Sequence, residues 1–245
     1  MDLATARHLI ELTTDFYRRV GSSFAATRQS PWPGWERVLR ACGLAPGDAL
    51  DVLDVACGNL RFERFLSRSG LTARVWAFDS CDGLAQMGAQ SLAGVTYRHL
   101  DVVGALFEGE GPIGLEAPRC DLSVSFGFMH HVPLATQRAR LLASLADRTR
   151  PGGHIAVSLW QFARNERLRA RAVPVPGGDE GDYLLGWQGR KDVARYCHSF
   201  SEDEVDALSR CCGPAVREVV RFSADGRTGD LNRYLVLQKA DRPEG

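Results

Sequence analysis

Residues 52–62 read VLDVACGNLRF: a short apolar run with one acid inside it, Asp54, then the small-residue turn Cys57-Gly58-Asn59, then a helical stretch reaching about Arg68. A strand that stops at small residues and passes directly into a helix lets backbone N–H groups come close to a ligand. Asp79 ends the next apolar run, residues 74–79, and falls 21 positions after Gly58. A carboxylate placed there can accept hydrogen bonds from both ribose hydroxyls of a nucleoside. Each element also has a plain structural reading, a common glycine turn and a carboxylate that caps a helix. Their order along the chain points to a nucleoside-containing cofactor.

The alternation continues outward. Residues 95–101 are expected to form a third strand, and residues 104–119, rich in glycine and acid, a loop or short helix. Residues 121–126 alternate with Leu122, Val124 and Phe126 on one face, and a helix over 135–148 gathers Leu141, Leu142 and Leu145. Pro151-Gly152-Gly153 reads as a turn into a strand over 154–160, and Asp82 as the cap of the helix after the second strand. Short strands separated by helices argue for a parallel sheet covered on both faces, with ligands beyond the carboxyl ends of its strands. The expected organisation is a single domain: a helical cap over 1–45, including Pro31-Trp32-Pro33; a cofactor-binding core over 46–160; a substrate-side insertion over 161–200; and a C-terminal part over 201–245. The insertion carries Arg164, Arg167, Arg169 and Arg171, readable as a solvated face or as a phosphate-binding patch. The C-terminal part opens on Ser201-Glu202-Asp203-Glu204, which has capping-box spacing, and continues with strands near 215–223 and 231–239.

The chain has 245 residues, 44% hydrophobic and 24% charged, which is ordinary for a globular protein. Thirty basic and thirty acidic side chains cancel, so no overall field draws it to nucleic acid or membrane and any phosphate contact is local. No apolar run approaches the roughly 18–20 residues of a membrane span. The opening MDLATARHLIELTTDF is polar and acidic where an export signal is basic and then apolar. Seven cysteines without a CxxC pair argue against a disulfide framework and against bound metal, and point to a reducing cytoplasm.

With Asp54 inside the first strand, Asp101 and Asp121 at later strands and Pro151-Gly152-Gly153 before the fifth, the chain resembles class I S-adenosylmethionine-dependent methyltransferases rather than dinucleotide dehydrogenases. The resemblance implies an α/β, Rossmann-like, seven-stranded sheet whose last strand runs antiparallel, with S-adenosylmethionine as cofactor. Asp54 and Gly58, with Ala56 and Asn59 in the same turn, would line the methionine part. Asp79, with Ser80 beside it, would take the ribose; Leu100, Asp101 and Val102 would flank the adenine; Ser125, Phe126 and Gly127 would close the floor. Ala56 and Leu60 stand where the family's acidic-x-Gly-x-Gly-x-Gly pattern has glycine. Alanine costs little where φ stays negative, whereas a leucine side chain is expected to crowd the turn.

A narrower resemblance spans most of the chain. Tyr17, Val20, Phe24, Thr27, Arg28, Pro31, Trp32 and Pro33 are similar to the Y-x-x-I-A-x-x-F-x-x-T-R-x-x-P-W-P opening of a transfer-RNA methyltransferase family. That family esterifies 5-carboxymethyluridine at the wobble position, and its fungal member works with a small activator subunit. Met129-His130-His131 with Arg138, Trp160, Arg195-Tyr196-Cys197-His198-Ser199-Phe200 and Asn232 resemble its later signatures, and Asp182–Trp187 matches part of its V-P-W loop. The resemblance implies tRNA as a partner and an activator subunit as another. Arg28 and Arg195 are the candidates to grip a carboxylate or phosphate, since a guanidinium binds either in bidentate fashion. His131 and His198 are candidate hydrogen-bond donors at the reacting centre, with Arg28 the third catalytic candidate; Trp160 or Tyr196 would stack on a base. Had the acceptor been a hydroxyl or amine, one histidine would become a proton acceptor. His130 and His131 can equally pack after the fourth strand, and Tyr196 can be core. Two other readings stay open: methylation of a small-molecule carboxylate or hydroxyl, and a non-catalytic binding module, the latter suggested only by Ala56 and Leu60.

Overall fold

The computed structural model describes residues 1–27, 29–83, 85, 92–109 and 113–241, without the side chain of Lys191. Its centre is a seven-stranded sheet built from β1 (Ala49–Val55), β2 (Thr72–Asp79), β3 (Val95–His99), β4 (Cys120–Ser125), β5 (Thr149–Trp160), β9 (Val216–Ala224) and β10 (Asn232–Lys239). The spatial order is β3-β2-β1-β4-β5-β10-β9. β1 pairs in parallel with β2 and β4, whereas β10, the last strand, enters antiparallel between β5 and β9. The implied sheet is therefore present. Strand order reverses between β1 and β4, and a crevice opens at their carboxyl ends, the position that ligands take in such sheets.

Both faces of the sheet are buried, as parallel sheets require. β1 shows how: Leu53 and Val55 join one core, Leu50 and Val52 the other. The first core is closed by α4 (Val102–Phe107), α5 (Ala135–Asp147) and α7 (Glu202–Arg210), and it gathers Leu141, Leu142 and Leu145 as expected. The second is closed by α2 (Pro33–Ala41) and α3 (Arg61–Arg68), which bury Trp35, Phe62, Phe65 and Leu66 against Leu122 and Val124. α7 opens with the expected capping box, Ser201 to Glu204.

Three local expectations are corrected. Pro151-Gly152-Gly153 is not a turn ahead of a strand but an irregularity inside β5, where the β4 register jumps from Cys120↔Thr149 to Leu122↔His154. Proline has no N–H for the ladder, and Gly152 takes φ 76°, so the extra residues bulge out. Asp82 does not cap a helix; it lies in the first helical turn, and its Oδ1 accepts from the Tyr97 hydroxyl at 2.6 Å and pairs with His99 Nδ1 at 2.9 Å. The rest of that helix falls mostly outside the described residues. The stretch matched to a V-P-W loop is a strand.

That strand, β7 (Asp182–Trp187), belongs to a second, three-stranded antiparallel sheet with β6 (Ala172–Pro174) and β8 (Arg190–His198), reached through the short helix α6 (Glu166–Arg169). α1 (Leu3–Ala26) buries Ala6, Leu9, Thr13, Phe16 and Val20, a helical-period stripe. Leu9 meets Val175 and Tyr196, Phe16 and Val20 meet Val193, and Thr13 Oγ1 accepts the Tyr196 N–H at 3.0 Å. The helical cap and the insertion thus form one layer over the crevice. Among the described residues no helix is long and apolar enough to cross a membrane.

Candidate functional site

A cavity of about 770 Å³ lies between the carboxyl ends of β1, β2 and β4 and the layer formed by α1 and β8. The β1–α3 turn shapes one wall. Ala56, Gly58 and Leu60 all take left-handed backbone, with φ 66°, 57° and 55°. The turn is held from β2: Phe78 O accepts from the N–H groups of Ala56 at 2.7 Å and Cys57 at 3.1 Å. Asp79 accepts the Gly58 N–H on Oδ2 and the Cys81 N–H on Oδ1, both at 2.8 Å.

Two expectations about this turn change. Ala56 does not keep negative φ, so it carries a left-handed strain of order 1–2 kcal/mol. Leu60 does not crowd the cavity. Left-handed backbone just ahead of α3 turns its side chain under the helix, where it is fully buried in the core with Trp35, Phe62 and Phe65. A Cβ added at Gly58 meets nothing within 4 Å, so the turn leaves an open cradle.

One end of the cavity is acidic. Asp54 and Asp79 line it, and Glu63, from the first turn of α3, is buried behind Asp54 with neither carboxyl oxygen meeting a donor. Burial, then the Glu63 charge, drive the Asp54 carboxyl well above the usual carboxylate range, and burial pushes Glu63 up to about 7. Burial also raises Asp79, against the pull of the Cys81 and Gly58 N–H groups. Every predicted cofactor residue lines this cavity except Ser125, which is fully buried in β4 with its hydroxyl unpartnered. Asp101 also caps α4 through the Gly104 N–H at 3.0 Å. Gly127 takes φ 71°, and a Cβ there would meet the Trp32 ring at 2.9 Å, so Trp32 lies across the floor. Arg61 sits 4.8 Å over the same ring, its pKa lowered to about 10 by burial.

The other end is aromatic and basic. Trp160, His131 and Arg195 line it, with Tyr17 and Phe24 from α1. His131 Nδ1 lies 2.7 Å from Tyr196 O, which can only accept, so Nδ1 bears the proton in the neutral ring and Nε2 accepts the Tyr17 hydroxyl at 2.8 Å. Trp160 packs 4.9 Å from the His130 ring and 4.5 Å from Phe162. The Arg195 guanidinium is 4% exposed and stacked 4.8 Å from Phe16 and 5.2 Å from Phe24. Its Nε has no hydrogen-bond partner, its Nη1 only grazes Gly186 O at 3.5 Å, it lies against the Cys197 thiol, and no carboxylate pairs with it among the described residues. A buried guanidinium on a cavity wall, with no carboxylate partner among the described residues, can bind an anion. His130, His131 and Cys197 also bring potential ligand atoms within 4.8 Å of one another. His131 Nδ1 donates to a carbonyl and burial pushes the Cys197 thiol up to about 11.

Tyr196 and His198 are not brought to the site. Antiparallel pairing of β7 with β8 sets Asp182 opposite His198. Asp182 Oδ1 then accepts from the Tyr196 hydroxyl at 2.6 Å and from His198 Nδ1 at 2.7 Å, while His198 Nε2 reaches Glu204 Oε1 at 2.7 Å. Arg138 approaches the same Glu204 at 3.2 Å. Burial is the largest influence and would raise Asp182 and Glu204, but His198 together with Tyr196 and the Asp179 N–H at Asp182, and with the Ser201 N–H and Arg138 at Glu204, holds both low. His198 is a strut between the insertion and α7, not a reacting group, and the Tyr196 ring is core. Arg28 lies outside the described residues. Sequence reasoning missed Glu63, Tyr17 and Phe24 as site residues; the seven-residue spacing of Tyr17 and Phe24 on one helix face was the signal available for the last two.

The residues present fit a ligand that is cationic and carries a nucleoside: carboxyls without a basic partner at one end, and a β2-terminal carboxylate with further lone pairs facing an open cradle. The match to known proteins agrees. Residues 24–213 match the family model described as a methyltransferase domain. The chain is 27% identical over 229 residues to a provisionally named methyltransferase of Encephalitozoon cuniculi, covering 91% of this chain and 93% of that one. It is 26% identical over 170 residues to the tRNA (carboxymethyluridine(34)-5-O)-methyltransferase ALKBH8 of Mus musculus, covering 68% of this chain but 23% of that longer protein. In fold it is similar to the 1,6-didemethyltoxoflavin-N1-methyltransferase of Burkholderia thailandensis, solved with S-adenosylhomocysteine, at a TM-score of 0.64 and 19% identity over 98% of this chain and 93% of that one.

Proposed function

The chain belongs to the methyltransferase-domain family and is an S-adenosylmethionine-dependent methyltransferase; from that premise we propose that its acceptor is a carboxylate, that of a carboxymethyl-modified uridine at the wobble position of tRNA. The observation that carries this reading is Arg195, a buried cation with an unpartnered Nε, set in the wall opposite the acidic end. The similarity to the mouse enzyme and the tRNA-family motifs support it.

When bound, the cofactor supplies a methyl group activated by its sulfonium. The chain's residues do the rest. Asp79 accepts from the ribose hydroxyls, and Asp54 faces the ammonium of the methionine part. Arg195 grips the acceptor carboxylate, with Trp160 as a stacking face for its base. Trp32 over Gly127 and the α1 layer exclude water. A carboxylate is already ionised at neutral pH, so no general base is needed and alignment is the main contribution. His131, bonded on both nitrogens, fits that division as a positioning group.

The test is nucleoside mass spectrometry of tRNA from cells lacking the gene, with transfer of labelled methyl to an anticodon stem-loop bearing carboxymethyluridine. Loss of the methyl ester with accumulation of the free acid supports the reading; unchanged tRNA overturns it. A second reading, a small carboxylic acid as acceptor, draws on the balanced total charge and on α1 lying over the cavity. Retention of the protein on tRNA that weakens steeply with salt separates the two. The exposed Arg167, Arg169 and Arg171 are the phosphate contacts we assign to the tRNA complex. The seven cysteines are free thiols, which suits the reducing cytoplasm we infer.

A further inference from the structure

We propose that Glu63 and Asp54 hold one proton between them in the cofactor-free protein and release it when the cofactor's ammonium arrives, so that cofactor binding is coupled to proton loss through Glu63. The proposal rests on the cofactor occupying the acidic end of the cavity. Period-two alternation puts Asp54 on the same face of β1 as Leu50 and Val52, directly under α3. Glu63 is on the buried side of α3, beside Phe62 and Leu66. Both residues are 3% exposed. Neither oxygen of Glu63 meets a donor in the described protein, and the carboxyl it faces is that of Asp54. Two carboxylates at this depth cannot both stay ionised without a cation between them. A single shared proton removes the repulsion and supplies the missing hydrogen bond.

The described surroundings do not neutralise the pair. Asp79 from β2 adds negative charge, and burial keeps the Cys57 thiol in the turn protonated. β4 places Val124 beside Asp54. Arg64 of α3 pulls on Glu63, but less than burial pushes. Only Asp54 lines the cavity, so the arriving ammonium meets Asp54 directly and Glu63 acts through it, as a positioning residue. The ammonium then does what the proton did, neutralising the pair, and the proton leaves to solvent. Removing a proton that competes with the ligand makes affinity rise with pH, by up to about tenfold per unit while the pair is still protonated.

The experiment is titration calorimetry with S-adenosylhomocysteine, repeated in buffers of different ionisation enthalpy from pH 5 to 8. 5′-Methylthioadenosine, which shares the nucleoside and sulfur but has no ammonium, is the paired ligand. Wild type should release about one proton with S-adenosylhomocysteine at pH 6 and close to none with methylthioadenosine. Glu63→Gln, whose amide can donate to an ionised Asp54, should release close to none with either, and its affinity for S-adenosylhomocysteine should be flat with pH. Equal release by both ligands would assign the proton to the ribose side, to Asp79, Asp82 or His99, and overturn the proposal. So would binding of S-adenosylhomocysteine without proton release in wild type, or unchanged release in Glu63→Gln. No binding at all by folded protein overturns the cofactor assignment itself and the proposal with it. The comparison of the two ligands on wild type decides the matter even where the variant folds poorly.

Discussion

Replacing Arg195 by methionine should make the protein more stable and less active. The side chain is nearly fully buried, its Nε has no partner, and its one backbone contact is at the outer limit of a hydrogen bond. Removing a guanidinium from water without a carboxylate carries an effective penalty of several kcal/mol. The faces of Phe16 and Phe24 return part of this, about 0.5–2 kcal/mol for each cation–π contact. Methionine has an unbranched apolar stem of similar length and keeps the contact with both rings. The balance favours Arg195→Met by about 1–3 kcal/mol, and each kcal/mol is worth roughly 2–4 °C of melting temperature in a chain of this size. The same change removes a bidentate, charge-assisted grip on the acceptor. At about 1.5–3 kcal/mol per hydrogen bond to a charged group, kcat/KM for a carboxylate acceptor should fall roughly 10²–10⁴-fold. Affinity for S-adenosylhomocysteine should be unchanged, because Arg195, on β8, is not among the residues assigned to the cofactor. Differential scanning fluorimetry, calorimetry and a methyl-transfer assay measure the three quantities. A lower melting temperature with undiminished turnover would falsify the assignment and make Arg195 a structural residue.

Four further changes test separate parts of the site. Asp79→Ala should weaken S-adenosylhomocysteine binding by about 1–3 kcal/mol in calorimetry, and, because Asp79 also anchors the Gly58 and Cys81 N–H groups, it should lower the melting temperature as well. Leu60→Gly restores the motif's usual residue and relieves left-handed backbone, yet it empties a fully buried core position; denaturant unfolding should show a net loss of about 2–4 kcal/mol, since burial outweighs strain. His198→Leu breaks the strut between Asp182 and Glu204 and should destabilise by about 3–5 kcal/mol, while folded variant protein binds S-adenosylhomocysteine with wild-type affinity. Glu63 has a folded pKa of about 7, above its unfolded value near 4.3, so the folded state holds the proton more tightly and the stabilisation is full below about pH 4 and lost as pH rises toward 7; Glu63→Gln should remove that pH-dependent change of about 4 kcal/mol in urea melts of cofactor-free protein, and parallel pH profiles would refute it.

The sheet was legible because its signal is local. Strands such as 121–126 alternate, helices such as 135–148 repeat at helical period, and each is long enough for one face to be read from side-chain type alone. The β1–α3 turn and Asp79 were legible for the same reason: residue type and order define them. What the sequence hid depends on register and handedness. β6 has three residues and β7 follows a stretch of proline and glycine, so the second sheet has no periodicity to betray it. His198 looked chemical because histidine often is. Only antiparallel pairing, which brings in Asp182 from 16 residues upstream, and the first turn of α7, which brings in Glu204, commit both its nitrogens. Glu63 had the opposite disguise, since an acid in the first turn of a helix usually complements the helix dipole in water. It becomes a site residue because α3 rolls that position onto β1. Leu60 misled by size, where the sign of φ decided which way the side chain points.

The balanced total charge conceals a division that matters more than the sum. At one cavity, Asp54 with Glu63 behind it, and Arg195, have no salt-bridge partner among the described residues. Had Arg195 reached Asp54 or Glu63, both costs would vanish, and the fold would be more stable and bind neither ligand. The strands keep them apart: Asp54 is fixed at the end of β1, and Arg195 on β8 of the second sheet, in the layer roofed by α1. On the proposed reading a cationic methyl donor would neutralise the Asp54 side and an anionic acceptor would neutralise Arg195. On that reading the insertion and the helical cap are the part of the fold that keeps Arg195 away from the acids at the end of β1.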